Sequence, residues 1–396
     1  MSKWEMVRLG DEIKVTSGGT PSRAINEYWI GGAGDTLVPW VKTGDLKSMY
    51  LSEVDESITT TGLQNCSAKM FPKDTLLVAM YGATIGACSI LNIPASTNQA
   101  CAALLPNNKY LPAFLYYYFL SIKDKLISMG VGGAQPNISG TMIQSLKIPL
   151  PPLDVQHHIA DVLNRVGTLI EKRKAQIDKL DLLVKSRFVE MFGDPVTNPM
   201  GWERGTVRNI VAEVKYGTSN PANDGGQYPY LRMNNITYSG QLDMTDLKYI
   251  NMPDSQLEKY AVRKGDVLFN RTNSKELVGK TCVFDSNEIM IIAGYIIRVR
   301  TNNRAIPVYL SAVLNSDYGK LTLRAMCKTI IGQANINAQE LQDIEILIPP
   351  LPLQHRFADY VRATDKSKFA MQRGLDKLEL LYKSLMQKCF AGELFN

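Results

Sequence analysis

The chain has 396 residues, which at roughly 100–200 residues per domain means two or three domains. It is 45% hydrophobic and 21% charged, the make-up of a folded globular protein and not of a disordered or fibrous one. The 44 Lys and Arg outnumber the 38 Asp and Glu to leave +6, a mildly basic balance that admits a nucleic-acid partner without requiring one.

The sequence begins Met1-Ser2-Lys3-Trp4-Glu5, without the apolar run of a signal peptide. The longest apolar stretch, Tyr110 to Leu120, is interrupted by Pro112 and falls far short of the ~18 residues a membrane span needs. A cytoplasmic location with no membrane partner is expected. Cys66, Cys88, Cys101, Cys282, Cys327 and Cys389 are scattered with no two at CxxC spacing, so neither a metal site nor a disulfide frame is indicated.

From Trp4 to Leu150 the chain is turn-rich. The apolar run Thr75–Met80 reads as a strand, and the dense aromatic and aliphatic segment Pro112–Met129 reads as a helix with proline near its start. A different pattern follows. Ile159, Leu163, Val166, Ile170, Arg173, Ile177, Leu180, Val184, Arg187 and Met191 alternate spacings of four and three, the 3.5-residue period of a coiled-coil seam. Gly193-Asp194-Pro195 ends that helix near Phe192. Between Trp202 and Ile348 the turn-rich character returns, with Val267–Phe269 and Met290–Val299 as strands and Pro307–Lys328 as a helix. The chain then closes on a second seam: Phe357, Val361, Thr364, Lys368, Met371, Leu375, Leu378, Tyr382, Leu385 and Cys389.

The two seams are related by a shift of 198 positions, and so is much else. Pro151-Pro152-Leu153-Asp154-Val155-Gln156-His157 returns as Pro349-Pro350-Leu351-Pro352-Leu353-Gln354-His355, and Gln135-Pro136-Asn137-Ile138 as Gln333-Ala334-Asn335-Ile336. Further upstream the match loosens. Val38-Pro39-Trp40-Val41-Lys42 resembles Tyr228-Pro229-Tyr230-Leu231-Arg232, while Thr20 to Gly34 has no counterpart. One scaffold is repeated with different loops, which lets it present two different surfaces.

The expected fold is α+β: two repeated mixed α/β domains (1–150 and 193–348) separated by two long helices (151–192 and 349–396) that pack as an antiparallel coiled coil. Arg173, Arg187 and Lys368 interrupt the seam. They set its register or snorkel out of it, or they touch DNA phosphates or partner carboxylates. His157, His158 and His355 are the only histidines, and all begin helices. Antiparallel packing sets the two groups at opposite ends and leaves no metal or catalytic cluster.

The strings Pro149-Leu150-Pro151-Pro152-Leu153 with Gln156, and Ile348-Pro349-Pro350-Leu351-Pro352-Leu353-Gln354, resemble the openings of the long helices in specificity (S) subunits of type I restriction-modification systems. Lys264-Gly265-Asp266-Val267-Leu268-Phe269-Asn270-Arg271-Thr272-Asn273-Ser274 with Leu277-Val278-Gly279-Lys280 resembles a segment of their target recognition domains. So does Gly18-Gly19-Thr20-Pro21-Ser22 with Tyr28-Trp29 and Pro39-Trp40. The resemblance spans the whole chain. It implies that each globular half is a target recognition domain reading one half of a split, asymmetric site in double-stranded DNA. The helices would fix the spacer and dock two methyltransferase (M) subunits, joined by restriction (R) subunits. It further implies a non-catalytic chain binding no cofactor, with S-adenosylmethionine, ATP and Mg belonging to the partners. A helix of some 36 residues is on the order of 54 Å long, against about 34–36 Å for one turn of B-DNA.

Arg271-Thr272-Asn273-Ser274-Lys275 follows a predicted strand with five hydrogen-bonding side chains, of which Arg and Asn suit guanine and adenine edges and the others phosphates. A solvated hairpin loop is the bland alternative. Asn98 and Gln99 are placed in the corresponding region of the first copy. Lys42 and Arg232 match after Pro-aromatic pairs, and Gln135 and Asn137 match Gln333 and Asn335; each could equally be an exposed strand end, turn or cap. Thr20, Ser22, Arg23, Lys215, Asn220, Asn234 and Asn235 fall in or beside the unmatched loops, where sequence readers belong.

Two rival functional classes fit the sequence less well or no better. An amino-methyltransferase needs an Asn/Asp-Pro-Pro-aromatic loop; Asp194-Pro195-Val196 and Asn198-Pro199-Met200 lack the second proline and the aromatic, and no GxxxxGK[ST] phosphate loop occurs. A coiled-coil protein-interaction adaptor without DNA specificity fits the composition nearly as well as a DNA reader.

Overall fold

The computed structural model describes residues 4–31, 36–132, 135–330 and 333–395; of these, 328–330 and 333 are described by backbone alone. The chain forms two compact units, one of residues 1–173 with 373–396 and the other of residues 174–372. Gly32, Ala33, Gly34 and Gly133 lie outside the described residues.

The first unit runs through β1 (Met6–Arg8), α1 (Leu9–Glu12), β2 (Val15–Ser17), β3 (Leu37–Val41), β4 (Tyr50–Leu51), β5 (Ser57–Thr59), α2 (Thr60–Gln64) and β6 (Leu76–Ala79). It continues with β7 (Cys88–Leu91), β8 (Ser96–Thr97), β9 (Cys101–Leu104), α3 (Pro112–Ser121), α4 (Lys123–Ser128), α5 (Gly140–Gln144) and β10 (Lys147–Pro149). Strands order β2-β9-β6-β7-β4 in one sheet and β5-β3-β8 in another, while β1 pairs with β10. The expected helix Pro112–Met129 is broken at Ile122, where ψ rises to 13°.

After α6 (Leu153–Phe192), the second unit repeats the plan with β11 (Glu203–Thr206), β12 (Val211–Tyr216), β13 (Tyr228–Leu231), β14 (Lys248–Ile250), α7 (Asp254–Tyr260), β15 (Ala261–Val262), β16 (Val267–Asn270) and β17 (Thr272–Asn273). Then come β18 (Thr281–Val283), β19 (Met290–Ile292), β20 (Ile296–Thr301), α8 (Pro307–Asn315), α9 (Asp317–Met326), β21 (Lys328–Ile330), β22 (Gln333–Asn335), α10 (Ala338–Gln342), β23 (Glu345–Ile348) and α11 (Leu351–Ala391). The order β12-β20-β16-β18 echoes β2-β9-β6-β7, and β14-β13-β19 echoes β5-β3-β8. The single strand expected at Met290–Val299 is two. Residues 293–295 carry the chain from the β13 sheet to the β16 sheet, so β19 and β20 belong to different layers. The helix Pro307–Lys328 likewise divides at Ser316, whose hydroxyl accepts the Gly319 N–H at 3.1 Å and caps α9.

All ten seam positions of α6 and all ten of α11 are buried or half-buried. In the first unit the start of α6 supplies Ile159 and Leu163 to a core that also holds Cys389, Leu385 and Tyr382 from the end of α11. In the second unit the end of α6 supplies Phe188, Met191 and Phe192 beside Phe357 from the start of α11. Within each unit the helices therefore run antiparallel, start against end. Lys368, which breaks the apolar pattern, reaches Asp181 of α6 at 2.6 and 2.7 Å, so this charge is paired inside the seam.

The helix ends are fused to the heads. Phe390 packs against Phe114 and Tyr118 of α3, and Phe192 against Tyr309 of α8. The repeated Pro-Pro-Leu opening acquires a physical meaning through its glutamine. Gln156 is fully buried; its Oε1 accepts the Leu111 N–H at 2.9 Å, and its Nε2 donates to the carbonyls of Lys109 and Pro151. Gln354 repeats this with Ile306, Arg304 and Pro349. Each glutamine satisfies three backbone groups at the junction of helix and head, groups whose burial unpaired would be costly.

Candidate nucleic-acid interface

The two units build the same backbone ladder from different side chains. In the first unit, Met80 donates its N–H to the Ala100 carbonyl at 2.9 Å and accepts the Ile138 N–H at 2.9 Å, while the Asn98 N–H reaches Val41 at the end of β3. In the second, Arg271 donates to Tyr295 at 2.9 Å and accepts from Ile336 at 2.9 Å, while the Ala293 N–H reaches Leu231 at the end of β13. Met80 therefore stands where Arg271 stands, Tyr81 where Thr272 stands, and Asn98-Gln99 where Ala293-Gly294 stand. This corrects the sequence alignment: Asn98 and Gln99 are not in the region of the Arg271 loop but on the neighbouring rung.

Close backbone approach locks the rungs. A Cβ on Gly18 would lie 1.9 Å from the Thr97 carbonyl oxygen, and one on Gly217 would lie 2.3 Å from those of Ile292 and Ala293. Only glycine fits either place. The buried Trp40 indole donates to the Gly19 carbonyl at 3.0 Å, and the Tyr230 hydroxyl donates to the Thr218 and Asn220 carbonyls.

On the first unit's ladder, exposed Thr20 donates to Gln99 Oε1 at 2.5 Å. Arg23 lies with its guanidinium carbon 3.6 Å above the Trp29 ring and its Nη2 2.6 Å from Glu56. Lys42 reaches the other oxygen of Glu56 at 2.6 Å. Bonds from Lys42 and Arg23 hold the Glu56 carboxyl below its ordinary range, and Glu56 in turn raises Lys42. Ser22 is exposed and accepts the Trp29 indole N–H through its carbonyl. Asn98 Oδ1 accepts the Ala100 N–H at 3.2 Å in a local turn. Gln135 and Asn137 are exposed, and Asn137 bridges to Tyr81 and Val131.

On the second unit's ladder, the Arg271 guanidinium sits 4.8 Å from the centre of the Tyr216 ring, and the Tyr216 hydroxyl is fixed by the Ala338 N–H at 2.8 Å. Arg271 Nε is buried without a partner, and no described carboxylate pairs with it. Strand β17 pairs with β22, setting Thr272 against Asn335 and Asn273 against Ala334. The Arg271–Lys275 segment and the Gln333/Asn335 pair, far apart in sequence, thus share one small sheet. Thr272 is buried, with its hydroxyl 3.4 Å from Asn335 Oδ1; Asn273 and Ser274 are half-buried, and Lys275 is exposed. The backbone of Gln333 lies in β22, and its side chain lies outside the described residues.

A family model for the type I restriction modification DNA specificity domain matches residues 1–180 and again 199–380. The chain belongs to this family. Among its relatives, the specificity subunit of type I restriction enzyme MjaIX from Methanocaldococcus jannaschii is 25% identical, the match covering 99% of this chain and 93% of that protein. That of EcoKI from Escherichia coli K12 is 22% identical over 91% and 83%. Of solved structures, a chain from work on complex assembly and conformational transition of the type I R-M system superposes with TM-score 0.64 at 19% identity, covering 99% of this chain and 98% of that one. The S subunit from M. genitalium gives 0.54 at 14% identity, over 98% and 96%. Both show the fold shared across this specificity family.

The remaining candidates divide by what already holds them. Lys215 pairs with Glu213 at 2.6 Å, and Arg232 with Asp246 at 2.8 Å. Asn220 and Asn234 are exposed. Asn235 is 2% exposed; its Oδ1 takes the Arg232 N–H, and its Nδ2 donates to the carbonyls of Asp243 and Asp246. Its amide is spent on bracing the loop, which leaves nothing for a base edge. Sequence reasoning missed Tyr216, Glu56, Asp246 and the exposed Tyr295, whose carbonyl anchors Arg271. No local signal marks them, because each acquires its partner through strand pairing. A partly buried ion-pair network was also missed: Arg298 reaches Glu213 at 2.6 Å and the Ala261 carbonyl, while Arg300 reaches Asp266 at 2.8 Å. Among the described residues no helix is long and apolar enough to cross a membrane.

Proposed function

We propose that the chain is the DNA sequence-specificity subunit of a type I restriction-modification complex. Each unit reads one half of a bipartite, asymmetric site in double-stranded DNA. The long helices set the spacer and dock two methyltransferase subunits, and restriction subunits complete the assembly. Catalysis, with S-adenosylmethionine, ATP and Mg, falls to those partners, and this chain supplies recognition in the cytoplasm.

The observation that carries this reading is the repeated ladder with unlike side chains at the same addresses: Met80 against Arg271, Tyr81 against Thr272, Gln99 against Gly294. A duplicated frame with half-buried Arg271 where buried Met80 stands, and exposed Gln99 where Gly294 stands, is what two different half-sites call for. A protein adaptor leaves unexplained why Arg271 is stacked on Tyr216 without a carboxylate partner among the described residues, an arrangement ready for a guanine edge or a phosphate.

The test is duplex binding by the full-length chain with its methyltransferase across a salt series. The logarithm of affinity should fall steeply with the logarithm of salt, by about 0.9 per phosphate neutralised, and the methyltransferase should co-purify. A flat salt response, or purification without a methyltransferase, would contradict the proposal.

A further inference from the structure

We infer that Glu56 and Asp246 are built-in stand-ins for DNA phosphate, each masking a cation on the reading face so that random duplex is held weakly. The inference rests on the DNA-reading function proposed above.

Lys42 and Arg232 are structurally equivalent. Each follows the strand that forms the parallel pair of its unit, and each donates its backbone N–H to a side-chain oxygen three residues on: Asp45 at 2.8 Å, Asn235 at 2.9 Å. Their side chains then turn to a carboxylate on the neighbouring antiparallel segment, Lys42 to Glu56 at 2.6 Å and Arg232 to Asp246 at 2.8 Å. The two carboxylates are not equivalent. Pro39 pairs with Ser57 and Pro229 with Tyr249, so the counterpart of Glu56 is Lys248, and Asp246 lies two residues earlier. A brace inherited with the repeat would keep its register. Here the same pairing is built at a different position in each copy, which places the requirement on the cation and not on the local fold.

A carboxylate offers Lys and Arg the same kind of anionic acceptor that a phosphate does. Glu56 holds two such cations at once, Arg23 and Lys42, and their bonds hold its carboxyl below its ordinary range. Asp246 is open to water at 71% side-chain exposure, and Glu56 is half-buried at 31%. Neither pair is closed off from solvent, and an exposed ion pair is weak, so an approaching phosphate can compete for the cation. Non-specific binding rests on backbone charge alone, and competing genomic sites are very numerous. Masking cations therefore lowers retention at wrong sites, and base contacts restore affinity at the right one.

The experiment measures binding of the full-length chain with its methyltransferase to a mixed-sequence duplex across a salt series, for wild type, Glu56→Gln, Lys42→Met and the double variant. Gln keeps the size and an acceptor oxygen. Glu56→Gln should tighten binding about three- to tenfold and steepen the salt dependence by about one phosphate's worth. In the Glu56→Gln background Lys42→Met should take back part of the gain, with Arg23 keeping the rest, and the loss it causes there should exceed the loss it causes in wild type. Asp246→Asn should behave as Glu56→Gln does. Unchanged or weaker binding by Glu56→Gln overturns the inference, as does a Lys42→Met loss of equal size in both backgrounds. Wild type without salt-dependent duplex binding overturns the DNA-reading function as well; salt-dependent binding without coupling between Lys42 and Glu56 overturns this inference alone.

Discussion

Arg271 shows how a reading residue is prepared before DNA arrives. Its backbone is gripped on both sides by Tyr295 and Ile336, and its guanidinium rests against Tyr216, a ring itself held by the Ala338 N–H. A side chain ordered in this way loses little entropy when it meets a base edge or phosphate, and among the described residues it has no carboxylate to leave. Arg271→Ala should cost about 1–3 kcal/mol of discrimination in one half-site. The modified sequences in cells carrying the variant should relax at one or two positions of that half and keep the other half unchanged. Full retention of sequence preference would show that the loop does not read DNA.

The residue scale is also where the sequence was least legible. The run Arg271-Thr272-Asn273-Ser274-Lys275 stands out in the sequence as five polar side chains, yet Thr272 is buried and the Ser274 backbone is occupied in a turn with Leu277 and Val278. Asn235 looks like a loop reader and is a loop brace. Glu56 and Asp246 carry no signal of their own, because a salt bridge across paired strands depends on a register that propensity does not set. The alignment of Asn98-Gln99 with the Arg271 loop is off by one rung for a related reason: similar apolar strings can be slid by one or more positions, and only the backbone ladder fixes their equivalence.

At the scale of elements, periodicity succeeded where contacts repeat along one direction. A 3.5-residue pattern over ten positions specifies a covered stripe whatever the heads look like, and every position of both stripes is buried or half-buried. Where the stripe fails, at Lys368, the partner is Asp181 on the facing helix. Helix boundaries inside the heads were less legible, since Ile122 and Ser316 break what composition alone extends. The join between helix and head depends on one side chain per repeat. Gln354→Leu leaves the Ile306 N–H and the Arg304 and Pro349 carbonyls buried without that partner. At roughly 1–3 kcal/mol for each group left unsatisfied, partly relieved by relaxation, the loss should be about 2–4 kcal/mol. Chemical denaturation should show a lower midpoint for the second unit; an unchanged midpoint would mean that the glutamine is not a structural pin.

At the scale of the whole molecule, each unit takes its core from both ends of the chain's helical segments. Residues 373–396 complete the unit that residues 1–173 begin. Leu385, Met386, Phe390 and Leu394 all pack on the first head's core, so that head requires the far end of the chain. The proposed spacer role makes a geometric prediction. Matched seven-residue insertions in α6 and α11 preserve the seam's phase while lengthening both helices by about 10 Å. The variant should modify sites with a longer run of unspecified bases, or none at all. Modification with the original spacing would remove the helices from that role.

The most direct measurement of the central claim is a base-resolution map of methylation in otherwise identical cells with and without this chain, in the presence of its methyltransferase. The account predicts that the chain adds one class of modified site: two unlike short half-sites separated by a fixed number of unspecified bases. A single uninterrupted motif, two identical halves, or a map that the chain does not change would contradict it.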